Sequence, residues 1–323
     1  MANFSSIETE LNVIINEKLK KLIETNKKNP DQNNIAIIVQ QSCFEIRMKY
    51  LSDLAKYTNR NTIVYFSTYW QGNPSNAFGL QINDNDIVGF MNSLSKMDKS
   101  KGLDLIIQTP GGLTTATESI ILYLRKMFNE DIRVIVPHLA MSGGTMIACS
   151  GKEIMMGKHS YLGPIDPQVR GIPAEGLISE FNDVMKEVLE NNQKILVYQQ
   201  IVSKIMPTML NEAKNAIEMS KQIAKHALTT GMFLKDDNRE VLSDNVINGL
   251  SHEASKQHDK HFDIDYCRKI GLRVLQLESD PNLQDKVLSS FHTYIVSAYK
   301  CPDVLKFIEA NNEQTYITRG ERK

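Results

Sequence analysis

From Leu103 to Met156 the chain alternates short apolar runs with helical patterns, and this alternation constrains the fold more than any other feature of the sequence. Leu103–Gln108 (LDLIIQ), Arg133–Pro137 (RVIVP) and Glu153–Met156 (EIMM) read as strands, with helical patterns over Thr114–Asn129 and Ser142–Gly151 between them. Strands that lack polar–apolar alternation are covered on both faces, which is how parallel sheets are built. Parallel neighbours need a crossover, and Thr114–Asn129 is long enough to be a right-handed one. The expected class is α/β, with a parallel sheet assembled from βαβ units and a mainly helical C-terminal portion.

The flanking segments fill in the organisation. Ile7, Leu11, Ile14, Ile15, Leu19 and Leu22 recur at helical spacing, and Lys27–Asn34, polar and containing Pro30, reads as a linker. Asn34–Gln40 (NIAIIVQ) and Asn61–Ser67 (NTIVYFS) are rich in β-branched residues and predict strands. Ile87–Met97 predicts a helix begun by Asp84 or Asp86. Ala174–Met232 is almost wholly helical in pattern, punctuated by Pro207 and Gly231, and its spaced apolar residues (Leu177, Phe181, Val184, Val188, Ile195) read as core or subunit interface. Leu242–Leu250, Ile264–Leu272 and Ser289–Cys301 predict helices, and Arg273–Gln276 a strand. The expected division is a helix and linker over 1–33, an α/β core over 34–170, a helical segment over 171–235, a further α/β part over 236–310 and a polar, loosely ordered tail over 311–323.

Composition excludes several classes. Charged residues make up 23% of the 323 and sum to a net charge of −1, which gives no electrostatic case for nucleic acid or an anionic membrane. Cys43, Cys149, Cys267 and Cys301 form no CxxC pair, so the reading is of reduced thiols in a cytosol, without a zinc site or disulfide framework. The N-terminal stretch lacks a basic n-region, and no window approaches 18 continuous apolar residues, so a cytoplasmic protein without a transmembrane segment is expected. No Walker motif is present.

Two strand ends carry the chemistry. The first strand runs into Pro110-Gly111-Gly112 and then a helix. Glycine there lets backbone amides approach a developing negative charge, with a helix N-terminus behind them, as an oxyanion hole requires. The second runs through His138 to Ser142-Gly143-Gly144. A serine at a strand-to-helix turn exposes its hydroxyl above the sheet, and the Gly143 amide can donate to the same oxyanion as Gly112. The bland readings are an ordinary tight turn for the glycines and a helix cap for Ser142. Downstream, Leu162–Gln168 (LGPIDPQ) holds Asp166 between two prolines, either as an acid or as a turn residue capping local backbone.

These three motifs, in this order and spacing, resemble the Clp-fold serine peptidases, and most closely the serine dehydrogenase proteinase family, relatives of Clp protease and signal peptide peptidase A. The resemblance covers roughly 35–170, and 225–275 more loosely. It implies a Clp/crotonase-like fold and a triad in the chain order Ser, Asp, His. Ser142 then matches the nucleophile and Asp166 the acid, with oxyanion donors among Gly111, Gly112 and Gly143, where the family often has alanine at 143. Counting back from Gly271-Leu272, His258 falls on the family's histidine; His261 is the alternative base, and His252 a poorer third choice. A Ser–Lys dyad like that of signal peptide peptidase A would draw on Lys158 or Lys186. His138 and His159 are candidates to line the site, while His226 reads as structural.

The resemblance further implies a protein or peptide substrate, a homo-oligomer, and no cofactor or metal. Two other readings stand beside the peptidase: crotonase-like chemistry on an acyl thioester, for which no coenzyme A pocket is legible, and a non-catalytic oligomeric scaffold of the same fold.

Overall fold

A computed structural model describes residues 3–26, 29–71, 76–203, 205, 207–251 and 259–320. The chain begins with two long helices, α1 (Phe4–Asn26) and α2 (Gln32–Thr58), and enters the sheet at β1 (Asn61–Ser67). A short helix α3 (Ala77–Leu80) and α4 (Asp86–Ser93) lead to β2 (Leu103–Gln108), α5 (Thr114–Phe128) and β3 (Ile132–Val136). After β4 (Leu139–Ala140) come α6 (Gly143–Cys149), β5 (Glu153–Met156) and β6 (Tyr161–Leu162), then a two-stranded hairpin, β7 (Gln168–Val169) and β8 (Ile172–Pro173). Helices α7 (Ala174–Glu190), α8 (Ile195–Val202), α9 (Pro207–Thr230) and α10 (Arg239–Gly249) follow. The chain returns to the sheet through α11 (Ile264–Lys269), β9 (Val274–Gln276), α12 (Pro281–Lys300), β10 (Val304–Ala310) and β11 (Thr315–Arg319).

The main sheet has seven strands in the order β11-β10-β1-β2-β3-β5-β9. From β1 to β9 every pairing is parallel, and β10 joins β1 antiparallel with β11 at the edge. Successive residues of one strand enter opposite layers. Ile63 and Tyr65 face a core with α5, α6 and α9, whereas Val64 and Phe66 face a core with α1, α2 and α12. This two-sided burial is why the strands read as continuous apolar runs. The fold is thus α/β with a mostly parallel sheet, as the alternation predicts, and no helix among the described residues is long and apolar enough to cross a membrane.

Two expectations are corrected. Asn34–Gln40 is not a strand but the first turns of α2, capped by Asp31, whose carboxylate accepts from the Asn34 amide at 2.8 Å. The β-branched run misleads because the deciding signal lies further on: Ile38, Ile46, Leu51 and Leu54 form one buried helical face against α12, while Ile35 and Ile37 remain exposed. The tail is not loosely ordered over 315–319, which pairs with β10 from Lys306↔Thr318 to Glu309↔Thr315.

Candidate active site

The site is built where β2 and β3 leave the carboxyl edge of the sheet. The exit loops are laced together: Thr109 N donates to Leu139 O (3.0 Å) and Met141 N to Thr109 O (3.1 Å). Gly111 has φ +95°, and a Cβ there would sit 2.8 Å from both Met141 O and Ser142 Cβ. Glycine is therefore required for the first loop to lie against the serine. The Gly111 amide, expected among the oxyanion donors, donates instead to Thr109 Oγ1 at 3.2 Å.

Gly112 is held by Ile82, which no motif announces. Ile82 N donates to Gly111 O and Leu113 N to Ile82 O, both at 2.8 Å, so Ile82 bridges Gly112 as a short parallel strand. A Cβ at Gly112 would lie 2.3 Å from Ile82 backbone atoms. In this extended pairing the Gly112 amide faces away from Ile82, and it meets no acceptor among the described residues.

Ile82 is fixed by a buried charged group that sequence reading also missed. Lys306 Nζ donates to Gln81 O (2.8 Å) and to the carboxylate of Asp86, which also accepts from Asn83 N (3.0 Å) and from the Tyr65 hydroxyl (2.8 Å). Lys306, Asp86 and Tyr65 are all buried. Burial pushes the Lys306 ammonium below the usual lysine value, and Asp86 opposes that. A lysine inside an apolar strand run gives no hint of this in the sequence, because its partner lies 220 positions away.

Ser142 occupies the turn between β4 and α6 with φ +49° and ψ −112°, a conformation that side-chain-bearing residues avoid. It is the residue before the helix, yet its hydroxyl makes no capping hydrogen bond. The helix-cap reading of Ser142 is thereby removed. Gly143, the first helical residue, has no intrahelical acceptor for its amide. Thus the half-buried Ser142 lies against Gly111, and among the described residues the neighbouring strands and helix leave the Gly112 and Gly143 amides unused.

Asp166 is fully buried in the turn after β6. That turn is pinned by Ile165 N donating to Leu250 O (2.9 Å), Ala174 N to Pro167 O (2.9 Å) and Gly163 N to Thr145 Oγ1 (3.0 Å). His258 and His252 lie outside the described residues. His261 is exposed and stacks on Tyr161, with centroids 5.1 Å apart. The next residue, Phe262, pairs antiparallel with Leu162, through Phe262 N to Leu162 O (2.8 Å) and Leu162 N to Phe262 O (3.0 Å). The segment following His258 therefore runs along the strand that feeds the Asp166 turn.

The remaining candidates are separated by the fold. Lys158 and Lys186 are exposed, without the apolar setting a lysine base needs. His138 and His159 line a cavity of about 480 Å³ with Trp70, Gln108, Phe291 and His292. Partial burial, together with the imidazoles of His159 and His261, holds His138 below the usual histidine value. His226 is exposed on α9. A second cleft, about 620 Å³, lies between α7 and α9 and is lined by Glu175, Ile178, Glu180, Lys221 and Ser251, so it opens beside the Leu250 contact of the Asp166 turn. Among the described residues, no cluster of three or more His, Cys, Asp or Glu side chains is arranged to hold a metal ion.

Known proteins share this arrangement of sequence. The profile of the ClpP-like SDH-type serine proteinases matches residues 57–276, which run from the end of α2 to β9 and include both glycine turns, Ser142 and Asp166. The chain is 31% identical over 198 residues to the uncharacterized protein MJ0137 of Methanocaldococcus jannaschii, covering 59% of this chain and 68% of that protein. It is 36% identical over 137 residues to the uncharacterized protein MJ1495 of the same organism, covering 42% of this chain and 46% of that one. On the extent of the profile match, the chain belongs to the ClpP-like SDH-type serine proteinase family.

Proposed function

We propose that the protein is a serine endopeptidase in which Ser142 is the nucleophile, His258 the general base and Asp166 the group that orients it. The observation that carries this reading is the Ser142 backbone, held at positive φ with a hydroxyl that caps nothing. Strain of this kind persists only where the surroundings over-determine it, and it lifts the hydroxyl clear of the helix it precedes.

Ser142 Oγ attacks the peptide carbonyl while His258 accepts its proton; the carbonyl oxygen takes the negative charge and accepts from the Gly112 and Gly143 amides. Gly111 supplies the positive φ that turns the loop onto the serine. The protonated histidine then gives its proton to the leaving amine, leaving an acyl-serine that a water, activated by the same histidine, hydrolyses. Asp166 accepts from the imidazole and holds its tautomer. His261 is the alternative base. The cleft between α7 and α9, beside the acid turn, suits an extended peptide.

The same reading takes soluble proteins or peptides as substrates and the cytoplasm as the compartment, which its four buried free thiols suit. It also takes a homo-oligomer as the working form, supported by the exposed Leu189, Ile195, Leu196 and Val197 at the tip of the helical arm.

The test is intact-mass detection of a fluorophosphonate adduct on wild type, Ser142→Ala, His258→Ala and His261→Ala. One adduct is expected on wild type and on His261→Ala, and none on the other two. An unlabelled wild type, or an adduct that survives Ser142→Ala, would overturn the reading.

A further inference from the structure

We infer that Thr145 is a positioning residue that sets the nucleophile turn against the acid turn through its hydroxyl; this rests on the peptidase reading above. Strands β4 and β6 pair in parallel at Leu139↔Tyr161 and Ala140↔Leu162, and Tyr161 N donates to His138 O at 2.7 Å. A continuing ladder would next place Gly163 N on Ala140 O. The Thr145 hydroxyl occupies that rung. Thr145 Oγ1 accepts from Gly163 N (3.0 Å) and lies 2.9 Å from both Ala140 O and Gly163 O, one of which takes its proton.

The consequence is geometric. Ala140 is two residues before Ser142, and Gly163 is three before Asp166. The two strands part at this hydroxyl, one toward the serine and the other toward the carboxylate. Thr145 is itself fully buried in α6, whose start is the Ser142 turn, so one rigid element holds the gap between both. Thr145 closes the AMSGGT run of the serine motif, but nothing in that run announces what its hydroxyl meets. Misplacing reacting groups by about 1 Å costs roughly 100-fold in rate without weakening binding of the substrate.

The experiment measures fluorophosphonate acylation of Ser142 in the full chain, separating the limiting rate at saturating reagent from the apparent binding constant, with melting temperature followed in parallel. The variants are Thr145→Val, Thr145→Ala and Thr145→Ser. Thr145→Val keeps the shape and removes the hydroxyl; its limiting rate is expected to fall about 10–100-fold, with the binding constant within about twofold. Thr145→Ser is expected to stay within about threefold of wild type. Should Thr145→Val not fold, Thr145→Ala and Thr145→Ser differ only by the hydroxyl, and the same gap is expected between them. Wild-type rates in Thr145→Val or Thr145→Ala, or an equal fall in Thr145→Ser, would overturn the inference while leaving the peptidase reading standing. A wild-type protein that takes no label would overturn both.

Discussion

The Ser142 turn and the helical arm are built on opposite terms. Around Ser142 the loops are tied to one another at Thr109, Met141, Ile82 and Thr145, and every residue of α6 is buried. On the arm, α8 leans on α7 and the turn between them, and Leu189, Leu196 and Val197 are 79%, 75% and 69% exposed. A strained serine needs the first kind of surroundings, since only dense ties hold a residue at an unfavourable φ. Bare aliphatic side chains in a row belong to the second kind, a surface that awaits cover. Rigidity is therefore concentrated at the site and apolar surface is displaced to the periphery.

That contrast can be broken at its rigid end first. Gly112→Ala would drive a Cβ to 2.3 Å from the Ile82 backbone, so the loop must leave Ile82. Acylation of Ser142 should fall by about 100- to 1,000-fold, the loss associated with an oxyanion donor. Next, Lys306→Met leaves Asp86 buried without its cation and should cost about 3–5 kcal/mol in urea unfolding. On the arm the pattern inverts. The double variant Leu189→Asp, Leu196→Asp should alter unfolding of the subunit by less than about 0.5 kcal/mol, because both side chains are already in water. On the homo-oligomer reading, its particle mass in light scattering should drop to that of one chain, whereas an unchanged mass would separate the arm from assembly.

The smallest effect is a pH dependence. The folded state holds His138 below its ordinary value, so the unfolded chain binds a proton there more readily. Stability from this group is intact above about pH 6.5, the unfolded histidine value, and is lost as pH falls below it. His138→Asn should flatten the acid side of the stability profile, and an unaltered slope would mean that other groups dominate there.

The sheet was legible where both faces of a strand are apolar, as in Asn61–Ser67 and Leu103–Gln108. It was not legible at β10, whose run VLKFIEA carries Lys306 and Glu309 into the middle of a sheet. Those charges are matched by Asp86 and by Arg47, whose guanidinium reaches both Glu309 oxygens at 2.8 and 2.9 Å. Partners so distant in sequence leave no local pattern. The same applies at the site. The glycine turns and Ser142 could be found because sharp turns demand particular residues. Ile82 and Thr145 act through backbone and hydroxyl contacts that any isoleucine or threonine could make, and only the fold assigns them. Asn34–Gln40 misled because its β-branched composition outweighed the longer helical periodicity in which it is embedded.

The place of β10 has a consequence for how the molecule is made. β1 is a central strand, but its neighbour on one side is β10, and the clamp on Ile82 depends on a lysine 225 positions after Gln81. Translation at about 5–20 residues per second takes roughly 10–45 s to cover that distance. Over the last 164 of those positions, from Ser142 to Lys306, a nascent chain carries its serine turn with one sheet edge bare and the glycine loop unbraced. On the peptidase reading, the order of synthesis keeps the enzyme unfinished while it is still threaded through the ribosome among other unfolded chains.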